Sequence, residues 1–427
     1  MPDQPSDNPT DLFKSLRGRS PEEAKFFWSG GPVEVGERTW FQSVFSGCTG
    51  FETEEGVVLV DSGLAQLGPK LAALLRQKTP APIHTAVFTH GHVDHAFGLE
   101  AFLVPGQKLP RIIAHRAMPA RFARYERTRR HNAALNARQF GGAVQDAETS
   151  DKFDNFKRPA LMPDTLYDDE LTIRVGGVAF DIRHGRGETD DHSYVFCRER
   201  GVLCSGDFFI WSVPNAGNPQ KVQRYPWDWA DALRAMAALA PRALCPGHGG
   251  PVVGDAPLIR RMLVETADYL DAIVGQTIAA LEDGSPPHVD IVRAVEAPAS
   301  ASPWLQPIYD EAEFIVRNII RYYGGWWSGR PSELKPAPRD AVAREAARLA
   351  GGASALIARA QTIAAGGDLR LACHFADYAL EAEPQSTTVQ SAVVALYEQR
   401  AAAETGLMAR NLFRSAAAYA RAGRPFR

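Results

Sequence analysis

Cysteine is scarce in this 427-residue chain: the five present, Cys48, Cys197, Cys204, Cys245 and Cys373, are scattered and form no Cys-x-x-Cys pair. That excludes a disulfide framework and a zinc site built of cysteine alone, and it leaves small core side chains in a reducing compartment. An excess of positive charge is missing too. With 47 Lys and Arg against 50 Asp and Glu the formal net charge is -3, which offers no electrostatic footprint for nucleic acid. No apolar run approaches the roughly 20 residues that a membrane helix needs, so no membrane partner is expected. The N-terminal Met-Pro-Asp-Gln-Pro-Ser-Asp-Asn-Pro lacks the basic and apolar regions of a secretion signal, and a cytoplasmic location is the expectation.

What is present is ordinary globular composition, 45% hydrophobic, in a chain long enough for two or three domains. Residues 1–20 mix Pro, Asp and Ser with little to bury and read as a flexible tail. Between residue 21 and about residue 255, runs such as Val57-Val58-Leu59-Val60, Thr85-Ala86-Val87-Phe88, Arg111-Ile112-Ile113-Ala114 and Val202-Leu203-Cys204 alternate with amphipathic segments. This is the pattern of an α/β domain, taken here as residues 21–285. Leu67, Leu71, Leu74 and Leu75 mark one helix packed on a sheet. Residues 115–140 read as an arginine-dense helix, a solvated face or a lid over an anionic substrate. The stretch Gln145 to Pro163 reads as a loop. Beyond Pro251 the β-signals stop, and residues 286–427 are Ala- and Leu-rich with helical periodicity, including helices over 369–383 and 387–404 separated by Pro384. The aromatic knot Tyr322-Tyr323-Gly324-Gly325-Trp326-Trp327 is expected to bury.

The densest chemistry lies in Thr89-His90-Gly91-His92-Val93-Asp94-His95, directly after the strand ending at Phe88. Imidazole and carboxylate suit a borderline ion such as zinc, and side chains at i and i+2 on an extended loop face one ion while the following two reach a second. Further ligands stand just past other apolar runs: Glu188 in Gly187-Glu188-Thr189, Asp207 after Ser205-Gly206, and His248 between Gly247 and Gly249. A polar residue beside glycine at a strand end turns the backbone sharply enough to aim one side chain into a shared cleft. His184 and His192 are alternatives to Glu188, or groups that face substrate.

These motifs resemble the metallo-β-lactamase superfamily, whose signature is His-x-His-x-Asp-His after a strand. Its third motif is commonly Gly-His-Thr, and here a carboxylate replaces the imidazole. Glutamate at that motif, and its spacing to Asp207, resemble the type III alkyl sulfatases. The run from Tyr323 to Pro336, containing Gly325-Trp326-Trp327-Ser328-Gly329-Arg330-Pro331, looks like the dimerisation domain of that branch. The resemblance implies an αββα sandwich followed by an all-α domain that forms a homodimer. It implies two zinc ions, with iron or manganese as alternatives: His90, His92 and Glu188 on one, Asp94, His95 and His248 on the other, Asp207 bridging. It further implies that the ions share a water whose pKa falls from about 15.7 towards about 7, with Asp94 and Asp207 as the catalytic carboxylates. Two departures bear on sulfate specificity. The family's bridging glutamate and the Asn-x-Thr-His segment after it are replaced by Asp207-Phe208-Phe209-Ile210-Trp211, and no sterol-carrier-like domain follows before Arg427.

The substrate expected is a small apolar or anionic ester, foremost an alkyl sulfate. Phe209 and Trp211 would form its apolar wall, together with Phe208, Tyr225, Trp227 and Trp229, while Arg224 and His192 contact its polar end. A lactone, β-lactam or phosphodiester hydrolase is the competing class, and an iron enzyme or a scaffold the third.

Overall fold

Alternating apolar side chains give each central strand two buried faces. In β4 (Gly56–Val60), Val58 and Val60 point into one cluster while Val57 and Leu59 are buried on the other side. The same alternation places Val195 and Cys197 of β10 (Ser193–Cys197) in that cluster, and Tyr194 and Phe196 in a second one. Strands buried on both faces belong to the middle of a layered architecture.

The computed structural model describes residues 21–141, 155–284 and 290–426. The expected tail over residues 1–20, most of the expected loop from Gln145 and the Ser285-Pro286-Pro287 break lie outside them. One sheet holds β1 (Gly30–Gly36), β2 (Thr39–Ser43), β3 (Gly47–Thr53), β4, β5 (Ile83–Val87), β6 (Arg111–His115) and β7 (Thr165–Tyr167), in that order. It begins as an antiparallel meander and turns parallel from β4 onwards. The other runs β13-β12-β11-β10-β9-β8, from β8 (Glu170–Val175) and β9 (Val178–His184) through β10 and β11 (Val202–Gly206) to β12 (Ala243–Pro246) and β13 (Val252–Val253), with β11 and β12 parallel. Phe51, Val58, Val60, Ile182, Val195 and Cys204 are among the residues that fill the space between the sheets.

Helices cover the outer faces. Short α1 (Pro21–Phe26) precedes the first sheet, and α2 (Gly68–Arg76) lays Leu71 and Leu75 on it, so close that a Cβ on Gly50 of β3 would meet Leu75 at 2.6 Å. Next come α3 (Val93–Ala96) and the arginine-dense segment, which divides into α4 (Met118–Arg127) and α5 (Arg129–Asn136) at Thr128. Arg116, Arg127 and Arg130 are exposed, Arg124 and Arg129 half-buried, and Arg121 is buried. The outer face of the second sheet packs on α6 (Pro226–Ala238), α7 (Ala256–Glu282), α8 (Asp290–Ala294) and α9 (Ala312–Gly324). Ile315, Val316, Ile319 and Ile320 of α9 recur at helical spacing and sit in the same cluster as Leu203 and Leu244.

By their contacts the described residues fall into two units, 21–128 with 155–284 and 290–323, and 129–141 with 324–426. The second is helical. After short α10 (Pro331–Leu334) come α11 (Arg339–Ala350), α12 (Ala353–Ala365), α13 (Leu369–Ala382), α14 (Thr387–Ala402) and α15 (Leu407–Arg421). Asp368 caps α13 by accepting from Leu371 N at 2.9 Å, and Ser386 caps α14. Interlocking alanines with Leu356, Leu380, Val389 and Val393 make its core. The expectation that the aromatic knot buries is wrong: Tyr323 is 53% and Trp326 73% exposed. Tyr322 and Tyr323 follow the buried isoleucines of α9 and lie against the ring of Trp227, at 4.4 and 5.7 Å, with Tyr322 also 6.4 Å from Tyr225.

Candidate metal centre

The carboxyl ends of β4, β5, β11 and β12 open at one edge of the sandwich, and each delivers one piece of the site. The strand β5 runs into the histidine loop, β11 into Asp207 and β12 into His248, while the turn between β9 and β10 brings Glu188. All seven ligands expected from the sequence gather there. Three overlapping groups of ligand atoms lie within 4.8 Å of one another: His90, His95 and Asp207; Asp94, His95 and His248; His92, Glu188 and Asp207. Asp207 and His95 each belong to two of these groups.

Hydrogen bonds to the outer nitrogens decide which ring atom of each histidine faces inward. His95 Nδ1 donates to Asp61 Oδ2 at 2.9 Å, and His248 Nδ1 donates to the Phe45 carbonyl at 2.9 Å. Thr89 Oγ1 gives its proton to Asp61 Oδ2 at 2.8 Å and so accepts from His90 Nδ1 at 3.1 Å. Nε2 of His90, His95 and His248 is thereby the ring atom that points into the site. His248 Nε2 lies 3.5 Å from both Asp94 Oδ2 and Asp207 Oδ2, and His95 Nε2 lies 3.2 Å from Asp207 Oδ1. His90 Nε2 and His92 Nδ1 face each other at 2.9 Å.

Protons do not satisfy this arrangement. His95 Nε2, Asp207 Oδ1 and Glu188 Oε2 are buried without a hydrogen-bond partner, a costly condition for polar atoms unless a cation collects them. Burial holds His90 and His92 well below the usual imidazole range, with neighbouring positive groups adding to it. Burial opposes charge on His95 as well, yet the carboxylates of Asp207, Asp94 and Asp61 carry it well above that range. Burial and Asp207 push Glu188 up to about 8. The neutral imidazoles of His90 and His92, beside His95 and His248 whose protons the carboxylates hold and a cation would displace, make a donor set that fits divalent metal ions.

Asp61 and Asp191 went unassigned in the sequence. Asp61, at φ 58° just past β4, also accepts the Thr89 amide at 2.7 Å, so one carboxylate orients the loop backbone, Thr89 and His95 together. Asp191 accepts the Gly91 amide at 3.0 Å and is held in turn by Arg121 Nε at 2.9 Å. Asp61 carries the signal that marked Asp207 and His248, a polar residue directly after an apolar strand. Asp191 stands three residues after Glu188.

The other residues named from sequence are placed as follows. His192 is fully buried, stacked on Phe208 with centroids 4.0 Å apart, and its ring lies 4.4 Å from that of His90. Burial pushes it down to about 3, so it is neutral, and it is in none of the three ligand groups. His184 Nδ1 donates to the His192 carbonyl at 2.8 Å. Phe209 is buried beside Phe208 and Trp229 in the core outside the second sheet, whereas Trp211 is partly exposed and donates its indole N–H to Gly250 O at 2.8 Å. Arg224 is buried, with donors on Asn215 O, Val222 O and Glu188.

Gly247 is the tightest point of the centre. A Cβ there would collide with Asp207 Oδ1 and lie 2.7 Å from the Gly206 carbonyl carbon. Gly247→Ala is therefore expected to displace Asp207 and to weaken metal binding by at least about tenfold, the scale of a misoriented ligand set, in a competition titration with a chromophoric chelator. Unchanged affinity would show that the carboxylate is not held where the structure puts it.

Residues 45–248 match the family described as metallo-beta-lactamase superfamily, and residues 288–423 the one described as alkyl sulfatase dimerisation. The chain carries a metallo-β-lactamase domain and an alkyl sulfatase dimerisation domain. It is homologous to a linear primary-alkylsulfatase from Pseudomonas sp., 26% identical over 353 residues, which cover 78% of this chain and 66% of that one. An alkyl/aryl-sulfatase of Saccharomyces cerevisiae is 22% identical over 332 residues, 73% of this chain and 51% of the relative. The chain thus spans between half and two thirds of the length of these relatives. The solved stereoselective inverting sec-alkylsulfatase from Pseudomonas sp. has the same fold, with a TM-score of 0.79 at 19% identity over 92% of this chain and 66% of its own.

Proposed function

We propose that this chain is a zinc-dependent hydrolase that cleaves the sulfate ester of an apolar alcohol. The observation that carries this reading is the convergence of four imidazoles and three carboxylates, with three buried ligand atoms left unpartnered, in a chain homologous to alkylsulfatases. Two zinc ions, when bound, supply Lewis acidity and lower the pKa of a water enough for it to attack at neutral pH.

The residues of the chain do the rest. His90, His92 and Glu188 form one ligand set and Asp94, His95 and His248 the other, with Asp207 between them. Asp94 has the most exposed of the three carboxylates, 16% against 4% for Glu188 and 5% for Asp207, which supports it as the group that takes the proton of the attacking water. Partly exposed Trp211 offers an apolar surface near His248. Lys221, half-buried, pushed down to about 7 by burial and within electrostatic reach of Glu188 and Asp94, supplies a positive charge for the substrate anion when protonated, because each nitrogen of the Arg224 guanidinium already holds a protein acceptor.

The discriminating experiment is a turnover screen of the zinc-loaded protein against alkyl sulfates, lactones, β-lactams and phosphodiesters. Sulfate release from the first class with little turnover of the others is the expected result, and turnover confined to another class would reject the substrate assignment. A homodimer through the helical part is also proposed, supported by the dimerisation-domain match. Multi-angle light scattering of the intact chain is expected to give twice the chain mass of 46.6 kDa, and a monomer at micromolar concentration would contradict it.

A further inference from the structure

Glutamate occupies the third ligand motif, where the superfamily commonly has histidine, and the structure builds around that carboxylate in a way an imidazole could not use. Glu188 Oε1 receives two donors, Asn215 Nδ2 and Arg224 Nη2, the latter at 3.1 Å. Glu188 Oε2 is buried and receives none. Oε1, which lies 3.6 Å from His92 Nδ1, is thus clamped by the protein, and Oε2 is the oxygen that no protein donor occupies.

The clamp is itself fixed. Arg224 is 2% exposed and spends Nε on Asn215 O at 2.8 Å and Nη1 on Val222 O at 2.9 Å. Its backbone exchanges hydrogen bonds with Asn318 of α9, at 3.3 Å to Oδ1 and 2.9 Å from Nδ2. The turn that carries Asn215 is pinned by Asp310, whose Oδ2 accepts from Gly217 N at 2.6 Å and Asn218 N at 3.2 Å. A guanidinium locked by three different acceptors is not available to reach for a substrate.

We infer that Arg224 is a positioning residue that makes Glu188 a composite ligand: the guanidinium fixes Oε1, leaves Oε2 for the metal and cancels the charge that glutamate adds. The inference rests on the dinuclear reading proposed above. Two divalent ions against Asp94, Asp207 and an isolated Glu188 would leave the site one unit less positive than a histidine ligand would. With Arg224 beside Glu188 the net charge returns to the histidine value, which favours an anionic ester. Arginine suits the role better than lysine, because its planar fork serves two carbonyls and a carboxylate at once. A buried ion pair broken on one side leaves an uncompensated charge, so positions 188 and 224 have to change together.

The test is a mutant cycle read by metal content. Glu188→His alone puts an imidazole against a buried guanidinium, and is expected to lose one of two zinc ions, with that ion's dissociation constant raised at least about tenfold in a chelator competition. Adding Arg224→Gln, which keeps an amide donor for the carbonyls but removes the charge, is expected to restore the second ion to within about threefold of the parent. Glu188→Gln is the shape-conserving control: it keeps the acceptor for Arg224 but leaves the guanidinium uncancelled, and it should lose the same ion. Thermal melts establish that each variant is folded. A Glu188→His or Glu188→Gln protein that binds two ions as tightly as the parent overturns the inference, as does a folded double variant that binds no better than Glu188→His. A parent protein that binds fewer than two ions instead removes the dinuclear reading, so the two failures are distinct.

Discussion

Alanine at position 95 is expected to abolish metal-dependent turnover and reduce the metal content of the protein while leaving it folded. His95 is fully buried at the junction of the site: Nδ1 is tied to Asp61, and Nε2 faces Asp207 at 3.2 Å and Asp94 at 3.6 Å. No other side chain belongs to both of the ligand groups that contain it. Loss of a cation's Lewis acidity removes several kcal/mol of transition-state stabilisation, so kcat/KM should fall by at least about a thousandfold. Fold survival is expected because the apolar strands beneath the site remain packed between the two sheets. Elemental analysis with kinetics on the same sample checks both halves. Retained turnover in a folded His95→Ala protein would remove His95 from the ligand set.

The second large effect is expected from a residue that touches no metal. Asp61→Asn keeps the size of the side chain and the tolerance of positive φ, where Asp61 sits at 58°. It replaces one carboxylate oxygen with an amide that cannot accept from both Thr89 and His95. His95 then loses the acceptor that fixes its tautomer, and Thr89 loses the acceptor that makes it hold His90. Outer partners of this kind are worth roughly 10–100-fold in metal affinity. Equilibrium dialysis against buffered zinc should show that loss without a change in the melt. Parent-like affinity would mean that the loop holds its geometry without Asp61.

The parts of this site that were legible in the sequence are those written locally. The loop from His90 to His95 carries four ligands within six residues, and Glu188, Asp207 and His248 each stand beside glycine at the end of a strand or turn. Central strands and the helices α13 and α14 were legible for the same reason, since apolar period and a proline are local signals. The supports were not. Asp61 reaches Thr89 across 28 residues, and Asp191 reaches Gly91 across 100, so only the folded sandwich shows that they meet. The sequence assigned Arg224 to the substrate because a lone arginine near a metal motif suggests anion recognition. Its three buried acceptors come from turns whose course no periodicity foretells. The exposed rings of Tyr323 and Trp326 show the converse, that size and apolarity alone do not decide burial at the end of a helix.

The central claim is that two metal ions held by these seven residues drive hydrolysis of an alkyl sulfate. Its most direct measurement titrates zinc into the chelator-stripped protein while inorganic sulfate released from a linear primary alkyl sulfate is followed. The account predicts no release from the stripped protein and activity that reaches its plateau only at the second equivalent of zinc. Release by the metal-free protein, or none with both equivalents bound, would contradict it.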